Sequence, residues 1–321
     1  MREVLVITCV YAIAAQSLNI VMGYMGQFSF GHGAFFGLGI YGATLVVLNL
    51  GLSHWIGFLV GIIVAAAGGF FVGYVSLRKV RGMYLAMVTF GFGGVSYLVV
   101  CNWWSLTHGM GGLYNIPFPV IAIPGLLNIK LESAFSYYYF VLVLLALVIY
   151  FISRLLRTRF GRALISIREN EELARSVGIN VLKVYVTAFT LSAALAGLAG
   201  ATFVYYVRVA SPIQMGMGFM FMLVVIVIVG GTGTLLGPLV GTIIYIWGSE
   251  LLRISAGLRF FFLGLVLILF IIFLPRGIYP ALLSLGEHFN NLFSKNRDLS
   301  KTRIRKNREL KCISPKTYKN N

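Results

Sequence analysis

The chain has 321 residues, of which 59% are hydrophobic and only 11% are charged, and its mean hydropathy is +0.90. A soluble protein of this length has too little interior for so much apolar surface, so the composition excludes a soluble domain and predicts an integral membrane protein. The formal net charge is +17, and 21 of the 26 Lys and Arg residues lie in the segments 78–81, 154–183 and 276–321.

This uneven charge distribution indicates topology and argues against a nucleic-acid surface. Basic loops alternate with nearly neutral ones, as the positive-inside rule requires. We therefore place the three basic segments in the cytoplasm and the loops 102–135 and 208–216 on the outer side. If every apolar run spans the bilayer, the N-terminus lies outside.

Apolar runs long enough to cross a bilayer dominate the chain. A spanning helix needs about 20 residues, and uninterrupted runs favour helices over a β-barrel. We predict an all-α polytopic membrane protein with a bundle of about 8–9 transmembrane helices. The first run shows no cleavage-like site, so we expect a retained span and not a signal peptide. The runs are 4–24, 34–51, 55–77, 83–101, 136–153, 184–207, 217–230, 238–252 and 259–274.

The predicted domain organisation is simple. Residues 1–286 form one membrane domain, and residues 287–321 form a basic cytoplasmic tail that we expect to be disordered and attracted to anionic lipid. The three cysteines are scattered and odd in number, with neither metal-ligand spacing nor a disulfide framework, so no metal and no cofactor is predicted.

Residues 23–42 join the first two runs with a glycine-rich, uncharged sequence, GYMGQFSFGHGAFFGLGIYG. Irregular backbone at membrane depth is tolerated where it is buried in protein or lines a wet cavity. Gln27, Ser29 and His32 are therefore candidates for a translocation pathway. The alternative is a glycine-packed turn in which a neighbouring carbonyl satisfies His32, and the sequence does not decide between the two.

Residues 160–178 (FGRALISIRENEELARSVG) form a charged segment between two spans. Ser166 and Glu169 have the spacing of a capping box, which predicts a helix starting near Ser166. Gly178 is placed to end this helix in the left-handed conformation. We expect a short amphipathic helix with an apolar stripe of Ile167, Leu173, Ala174 and Val177. Its acidic residues disfavour an interfacial helix on anionic lipid and favour protein docking.

Residues 230–241 (GGTGTLLGPLVG) contain clustered glycines but not the lysine that a phosphate-binding loop needs. Pro238 suits the first turn of a new helix. We therefore predict a turn between two helices rather than a nucleotide site.

The charged segment also carries a family resemblance. Residues 172–178 (ELARSVG) resemble the EAA-x-x-x-G loop of ABC importer permeases, with Leu173 in place of the middle Ala. Residues 161–201 and 23–42 are similar to the matching segments of LivM-type permease subunits of branched-chain amino-acid ABC transporters. The resemblance implies a cytoplasmic coupling helix that contacts an ATP-binding subunit. Its predicted residues are Arg168, Glu169, Asn170, Glu171, Glu172, Ala174 and Gly178.

The resemblance further implies the partners: two ATP-binding subunits, a second homologous permease subunit and an extracytoplasmic solute-binding protein. The expected location is a bacterial plasma (inner) membrane, with lipid but no nucleic acid as a further partner. The expected function is import of branched-chain or related neutral amino acids. Urea-type ABC permeases share the signatures, so urea or a short amide is an alternative substrate.

A stand-alone secondary carrier is the remaining alternative. No Asp, Glu, Lys or Arg lies near the centre of a predicted span, whereas an ion-driven carrier usually keeps an acid there. The chain also shows no ATPase motif and no nucleophile–base pair, so it is predicted not to be an enzyme. The energy for transport must then come from a partner.

Overall fold

The computed structural model describes residues 2–123, 127–130, 133–251, 264 and 277–281. The fold of this part is helical, with one short β-hairpin. The helices are α1 Arg2–Asn19, α2 His32–Leu50, α3 His54–Ser76, α4 Met83–Asn102, α5 Trp104–Thr107, α6 Ala134–Arg157, α7 Arg159–Glu169, α8 Glu171–Ser176, α9 Val181–Val207, α10 Met217–Gly230 and α11 Gly237–Leu251. Strands β1 (Val120–Ile123) and β2 (Leu127–Lys130) pair antiparallel, with Val120 opposite Lys130.

In the described part of the chain, six helices are long and apolar enough to cross a membrane, which makes this a multi-pass membrane protein. They are α2, α3, α4, α6, α9 and α1 with its π-helical extension Ile20–Tyr24, and they match six of the predicted runs. The predicted runs 217–230 and 238–252 form the shorter helices α10 and α11, of 14 and 15 residues. The run 259–274 and the tail 287–321 lie outside the described residues.

The helices divide into a centre and a periphery. Of the most apolar 18-residue stretch of the first span, 78% is buried in the protein, whereas only 22% of the corresponding stretch of α6 is buried. Helix α9 packs against α1, α2 and α3. An aromatic cluster fills the space between α1, α2, α9 and α10, where Tyr11 contacts Phe36, Phe203 and Phe219.

Glycines bring the central helices together. Gly39 of α2, Gly61 of α3 and Gly197 of α9 meet backbone to backbone, and a Cβ atom on Gly39 would lie 2.2 Å from the carbonyl oxygen of Gly197. Small residues between membrane helices allow this close approach of backbones. Gly91 and Gly94 of α4 are different, because an added Cβ at either would meet nothing within 4 Å.

Loops that the charge pattern assigns to the same side of the membrane lie at the same end of the bundle. At one end, the turn between α3 and α4 lies beside α8, because Arg81 Nε is 3.5 Å from Glu171 Oε2. At the other end, Leu113 pairs with Ala210, and Arg208 Nε donates to the carbonyl of Ile116 at 2.8 Å. The basic segments 78–81 and 154–183 thus share one end, and the nearly neutral loops 102–135 and 208–216 meet at the other.

Candidate functional site

The charged segment folds into two helices with a break between them. Thr158 caps α7 by accepting a hydrogen bond from Gly161 N, and Asn170 caps α8 by accepting one from Leu173 N at 3.0 Å. The prediction of a helix start at Ser166 is wrong. The Ser166 hydroxyl donates to the carbonyl of Arg162 inside α7. Asn170, with φ −156° and ψ 107°, is the non-helical residue that supplies the cap instead.

The end of α8 is the left-handed stop that the sequence predicts. Gly178 has φ +84°, its N–H donates to the carbonyl of Arg175 at 3.0 Å, and the N–H of Ile179 donates to the carbonyl of Ala174 at 3.1 Å. This pair of bonds is the Schellman pattern, which satisfies the last carbonyls of a helix. Gly178 therefore fixes where α8 ends.

The predicted apolar stripe is only half correct. Ile167 and Ala174 are buried, but Leu173 and Val177 are 63% and 70% exposed. The break at Asn170 reorients α8 relative to α7, so the two helices do not share one stripe. Leu173 and Val177, four residues apart, lie on one side of α8. Together with the exposed Glu172 and Ser176 they form what we call the α8 outer face.

The predicted coupling residues separate into different structural roles. Glu172 is exposed on the α8 outer face, and Glu169 is exposed at the end of α7. Glu171 faces the bundle, where it pairs with Arg175 at 2.6 Å and with Arg81 at 3.5 Å. The guanidinium of Arg168 donates to the carbonyl of Gly23, at the end of the first span.

Arg81 and Tyr185 belong to the same site, although the sequence did not single them out. The Arg81 guanidinium lies over the Tyr185 ring, 4.9 Å from its centroid. Gln27 connects the α3–α4 turn to Tyr185. Its Oε1 accepts from Gly82 N at 2.6 Å, and its Nε2 donates to the Tyr185 hydroxyl at 3.5 Å. The segment after span 1, the α3–α4 turn and α8 are thus joined by side chains. The basic turn at 78–81 was the available signal for Arg81.

Ser29 and His32, the other predicted pathway residues, are both 2% exposed. His32 Nε2 is 2.7 Å from Ser192 Oγ, and His32 Nδ1 is 3.3 Å from Ser29 Oγ. The Ser192 hydroxyl donates its one proton to the carbonyl of Ser17. His32 Nε2 must then carry the proton that Ser192 accepts, and Nδ1 accepts from Ser29. In this conformation the histidine is satisfied within the protein.

The glycine-rich segment 231–236 is a turn between α10 and α11, as predicted. The Asn19 amide binds its backbone in two directions: Gly233 N donates to Oδ1 at 2.9 Å, and Nδ2 donates to the carbonyl of Thr234 at 2.8 Å. Gln16 Nε2 adds a bond to the carbonyl of Leu235. Gln16 and Asn19, polar amides near the end of a mainly apolar first span, were the available sequence signal for this clamp.

A cavity of about 260 Å³ lies between α4 and the start of α10. Its lining is largely apolar, with glycine backbone and the Tyr97 ring among the methionines. Among the described residues that line it there is no carboxylate, lysine or arginine. The residues are Phe90, Gly93, Gly94, Tyr97, Met215, Gly216, Met217 and Met220. Within the part of the chain that the structure describes, no cluster of His, Cys, Asp or Glu could hold a metal ion.

Comparison with known proteins identifies the family. A family model described as "Branched-chain amino acid transport system / permease component" matches residues 1–274. The "High-affinity branched-chain amino acid transport system permease protein LivM" of Escherichia coli (strain K12) is 31% identical over 296 residues, covering 87% of this chain and 69% of that protein. The corresponding LivH protein of Salmonella typhimurium is 27% identical over 256 residues, and the match covers 73% of this chain and 79% of the LivH protein.

A relative named for a different solute also matches. The "Autoinducer 2 import system permease protein LsrC" of Salmonella paratyphi B is 30% identical over 239 residues, covering 71% of this chain and 65% of that protein. No solved structure matches the chain. Since the family model spans most of the chain and the LivM relative covers 87% of it, this protein belongs to the family of branched-chain amino acid transport system permease components.

Proposed function

We propose that this protein is the membrane-spanning permease subunit of an ATP-driven importer for branched-chain or related neutral amino acids in a bacterial plasma membrane. Its partners are two ATP-binding subunits, a second homologous permease subunit and an extracytoplasmic solute-binding protein. Family membership supports the permease role. The single observation that carries the coupling is the α8 outer face, where Leu173 and Val177 are exposed beside Glu172.

The α8 outer face has the composition of a docking contact. Two large apolar side chains at a capped helix end offer an anchor for a groove, and Glu172 offers a charge that fixes orientation. Glu171 is held by Arg81 and Arg175 and is less available to a partner. We therefore assign docking to Glu172, Leu173, Ser176 and Val177, and we keep Glu169 as a flanking contact.

The transport cycle follows from this contact. Closure of the ATP-binding pair displaces α8, and the displaced helix biases the bundle between outward-open and inward-open states. A ligand with equal affinity for both states shifts neither, so the cycle of ATP binding and hydrolysis must supply the bias. The chain itself acts as a transport subunit rather than as an enzyme.

The substrate is proposed from the chemistry of the interior. The spans carry no fixed charge near their centres, and the cavity between α4 and α10 is largely apolar. An uncharged path suits a zwitterion with an aliphatic side chain, because neither of its charges meets a competing ion. The LsrC relative, named for autoinducer 2, shows that the family name alone does not fix the solute. Urea or a short amide remains the alternative substrate.

The placement of Gln27, Ser29 and His32 in the pathway stays a prediction. Ser29 and His32 are buried in this conformation and would meet substrate only in a state that opens the segment after span 1. Gln27 is partly exposed and already links two cytoplasmic-end segments. We propose that these three residues shape the wall of the pathway.

Association with the ATP-binding subunit tests the proposal. Leu173→Ser and Glu172→Lys should each reduce the ATP-binding subunit that co-purifies with this chain, because they remove the anchor or reverse the charge. Ile165→Ser is the matched control, since Ile165 is a 40% exposed apolar residue of α7 outside the α8 outer face. Unchanged co-purification in both variants would contradict docking at this face. Leucine uptake by this chain alone in ATP-free liposomes would instead support a stand-alone carrier.

A further inference from the structure

Among the described residues, no backbone N–H donates to the carbonyls of Met22, Gly23 and Tyr24 at the end of the first span. Helix α1 continues as the π-helix Ile20–Tyr24, and the chain then leaves the helix, with Met25 N donating to the carbonyl of Ile20 and Gln27 N to that of Val21. The last carbonyls of a helix have no intrahelical donor and carry the negative end of the helix dipole. A cation placed there satisfies both demands.

Arg168 supplies that cation from another part of the chain. It lies in the last turn of α7, 145 residues along the sequence from Gly23, and its Nη1 donates to the carbonyl oxygen of Gly23. An arginine donating to a free terminal carbonyl acts as a C-terminal cap. Here the cap of span 1 is provided by the charged segment between α6 and α9.

Glycines make room for this guanidinium on two sides. A Cβ atom on Gly26 would lie 2.9 Å from Cγ of Arg168, and one on Gly233 would lie 2.6 Å from Nη1. Gly233 belongs to the α10–α11 turn, which Asn19 of α1 clamps through Gly233 N and the carbonyl of Thr234. Arg168 therefore sits where span 1, the α10–α11 turn and α7 meet.

The position of Arg168 relative to the break at Asn170 separates two connections. Glu171, after the break, joins α8 to the α3–α4 turn through Arg81. Arg168, before the break, bonds α7 to span 1 and lies beside Gly233 of the α10–α11 turn. A displacement of the charged segment therefore reaches two different parts of the bundle by two different side chains.

We propose that Arg168 is a positioning residue that transmits displacement of the charged segment to the end of span 1 and to the α10–α11 turn, rather than a contact for the ATP-binding subunit. This inference rests on the proposed function, because it needs a motor that moves α8. It reassigns a predicted coupling residue: Arg168 is exposed overall, but its guanidinium donates to the end of span 1 and does not belong to the α8 outer face.

The test uses the importer assembled from this chain and its partner subunits, purified through a tag on this chain. Arg168→Ala should leave the co-purified ATP-binding subunit unchanged and lower the leucine transported per ATP hydrolysed by roughly five-fold or more, a typical coupling between sites. Arg168→Lys keeps the charge and one donor and should recover part of the ratio. Arg162→Ala, which removes an exposed arginine of the same helix, should change neither quantity.

A second measurement needs no partner. In this chain alone in nanodiscs, Arg168→Ala should speed amide hydrogen exchange in residues 20–27 and 231–235, whereas Arg162→Ala should not. Unchanged exchange, an unchanged transport-to-ATP ratio, or loss of the ATP-binding subunit from Arg168→Ala would each overturn the inference. Failure of the proposed function is distinguishable, because the unaltered chain would then co-purify no ATP-binding subunit.

Discussion

Glu171 of α8 and Arg81 of the α3–α4 turn form an ion pair, with 3.5 Å between Oε2 and Nε, across segments that are 90 positions apart in the sequence. Both side chains are 27% exposed, so the pair is partly shielded from water. Glu171 also binds Arg175 at 2.6 Å within α8. One carboxylate thus bonds to another residue of α8 and also ties α8 to the α3–α4 turn. The α8 outer face is presented on a helix that is anchored from behind.

We expect the Arg81–Glu171 pair to contribute modestly to stability and clearly to coupling. Arg81→Gln and Glu171→Gln should each lower thermal stability, and a double-mutant cycle on the purified chain should give an interaction energy of about 0.2–1 kcal/mol, as for other partly exposed ion pairs. The interaction should weaken at high salt because mobile ions screen it. In each single variant, uptake by the assembled importer should fall clearly, even though thermal stability falls only modestly.

The cycle itself provides the control for the pair. Strictly additive effects of Arg81→Gln and Glu171→Gln, with no salt dependence, would show that the two charges do not interact. Lys79→Gln removes an exposed positive charge from the same turn and should leave both stability and uptake unchanged.

Gly178 is expected to tolerate only residues that accept a positive φ. Its φ is +84°, and an added Cβ would meet nothing within 4 Å, so the penalty for substitution comes from the backbone and not from a clash. The left-handed conformation costs an ordinary residue about 1–2 kcal/mol, and more for a β-branched one. Gly178→Val should leave the protein inserted in the membrane but lower uptake strongly.

Asn is the matched substitution at this position, because it enters the left-handed region more easily than Val. Gly178→Asn should retain most uptake, and the difference between the two variants is the informative result. Full uptake by Gly178→Val would show that the end of α8 need not be a left-handed turn.

The spans were predictable because the length of each continuous apolar run can be read directly from the sequence. Six predicted runs match helices within a few residues, and the run 217–230 coincides with α10. The break at Asn170 was not predictable, since Ser166 and Glu169 offered a competing capping signal and the choice depends on how α7 packs. Local patterns therefore located the charged segment but not its division into two helices.

The contacts of the site were hidden from the sequence for a different reason. Arg168 binds Gly23, and Asn19 binds Gly233, across separations of 145 and 214 residues. Periodicity reports which face of a helix is apolar, but it carries no information about which distant backbone group a polar side chain will reach. The predicted docking stripe was half correct for the same reason, because the exposure of Leu173 depends on the break at Asn170.

Variants of His32 should show whether the imidazole acts in the translocation pathway or stabilises the fold. The structure gives it two buried partners, Ser29 and Ser192. Removing the imidazole leaves buried hydroxyls with one partner fewer, which costs about 1–3 kcal/mol for each group left unsatisfied. His32→Ala should therefore lower thermal stability and uptake together. His32→Gln, which keeps a donor and an acceptor, should recover part of both.

The two roles of His32 separate in the same experiment. A variant with unchanged melting but lost uptake would assign the imidazole to substrate handling. Ser192→Ala is the companion variant, since it removes the partner of Nε2 without touching the segment after span 1. It should resemble His32→Ala in melting if the buried network is structural.

The cavity between α4 and α10 is expected to matter for uptake, and α4 offers a matched pair of glycines to show it. Gly94 lines the cavity, whereas Gly91 does not, and an added Cβ would meet nothing within 4 Å at either position. Gly94→Trp should occupy the cavity and lower initial leucine uptake by roughly tenfold, equivalent to about 1.4 kcal/mol. Gly91→Trp adds the same side chain to the same helix outside the cavity and should have little effect. Equal uptake by the two variants would remove the cavity from the path. Equal loss would show instead that α4 cannot accept a large residue on its exposed side, and Gly94→Ala would then be the decisive measurement, because it adds one methyl group and should preserve transport.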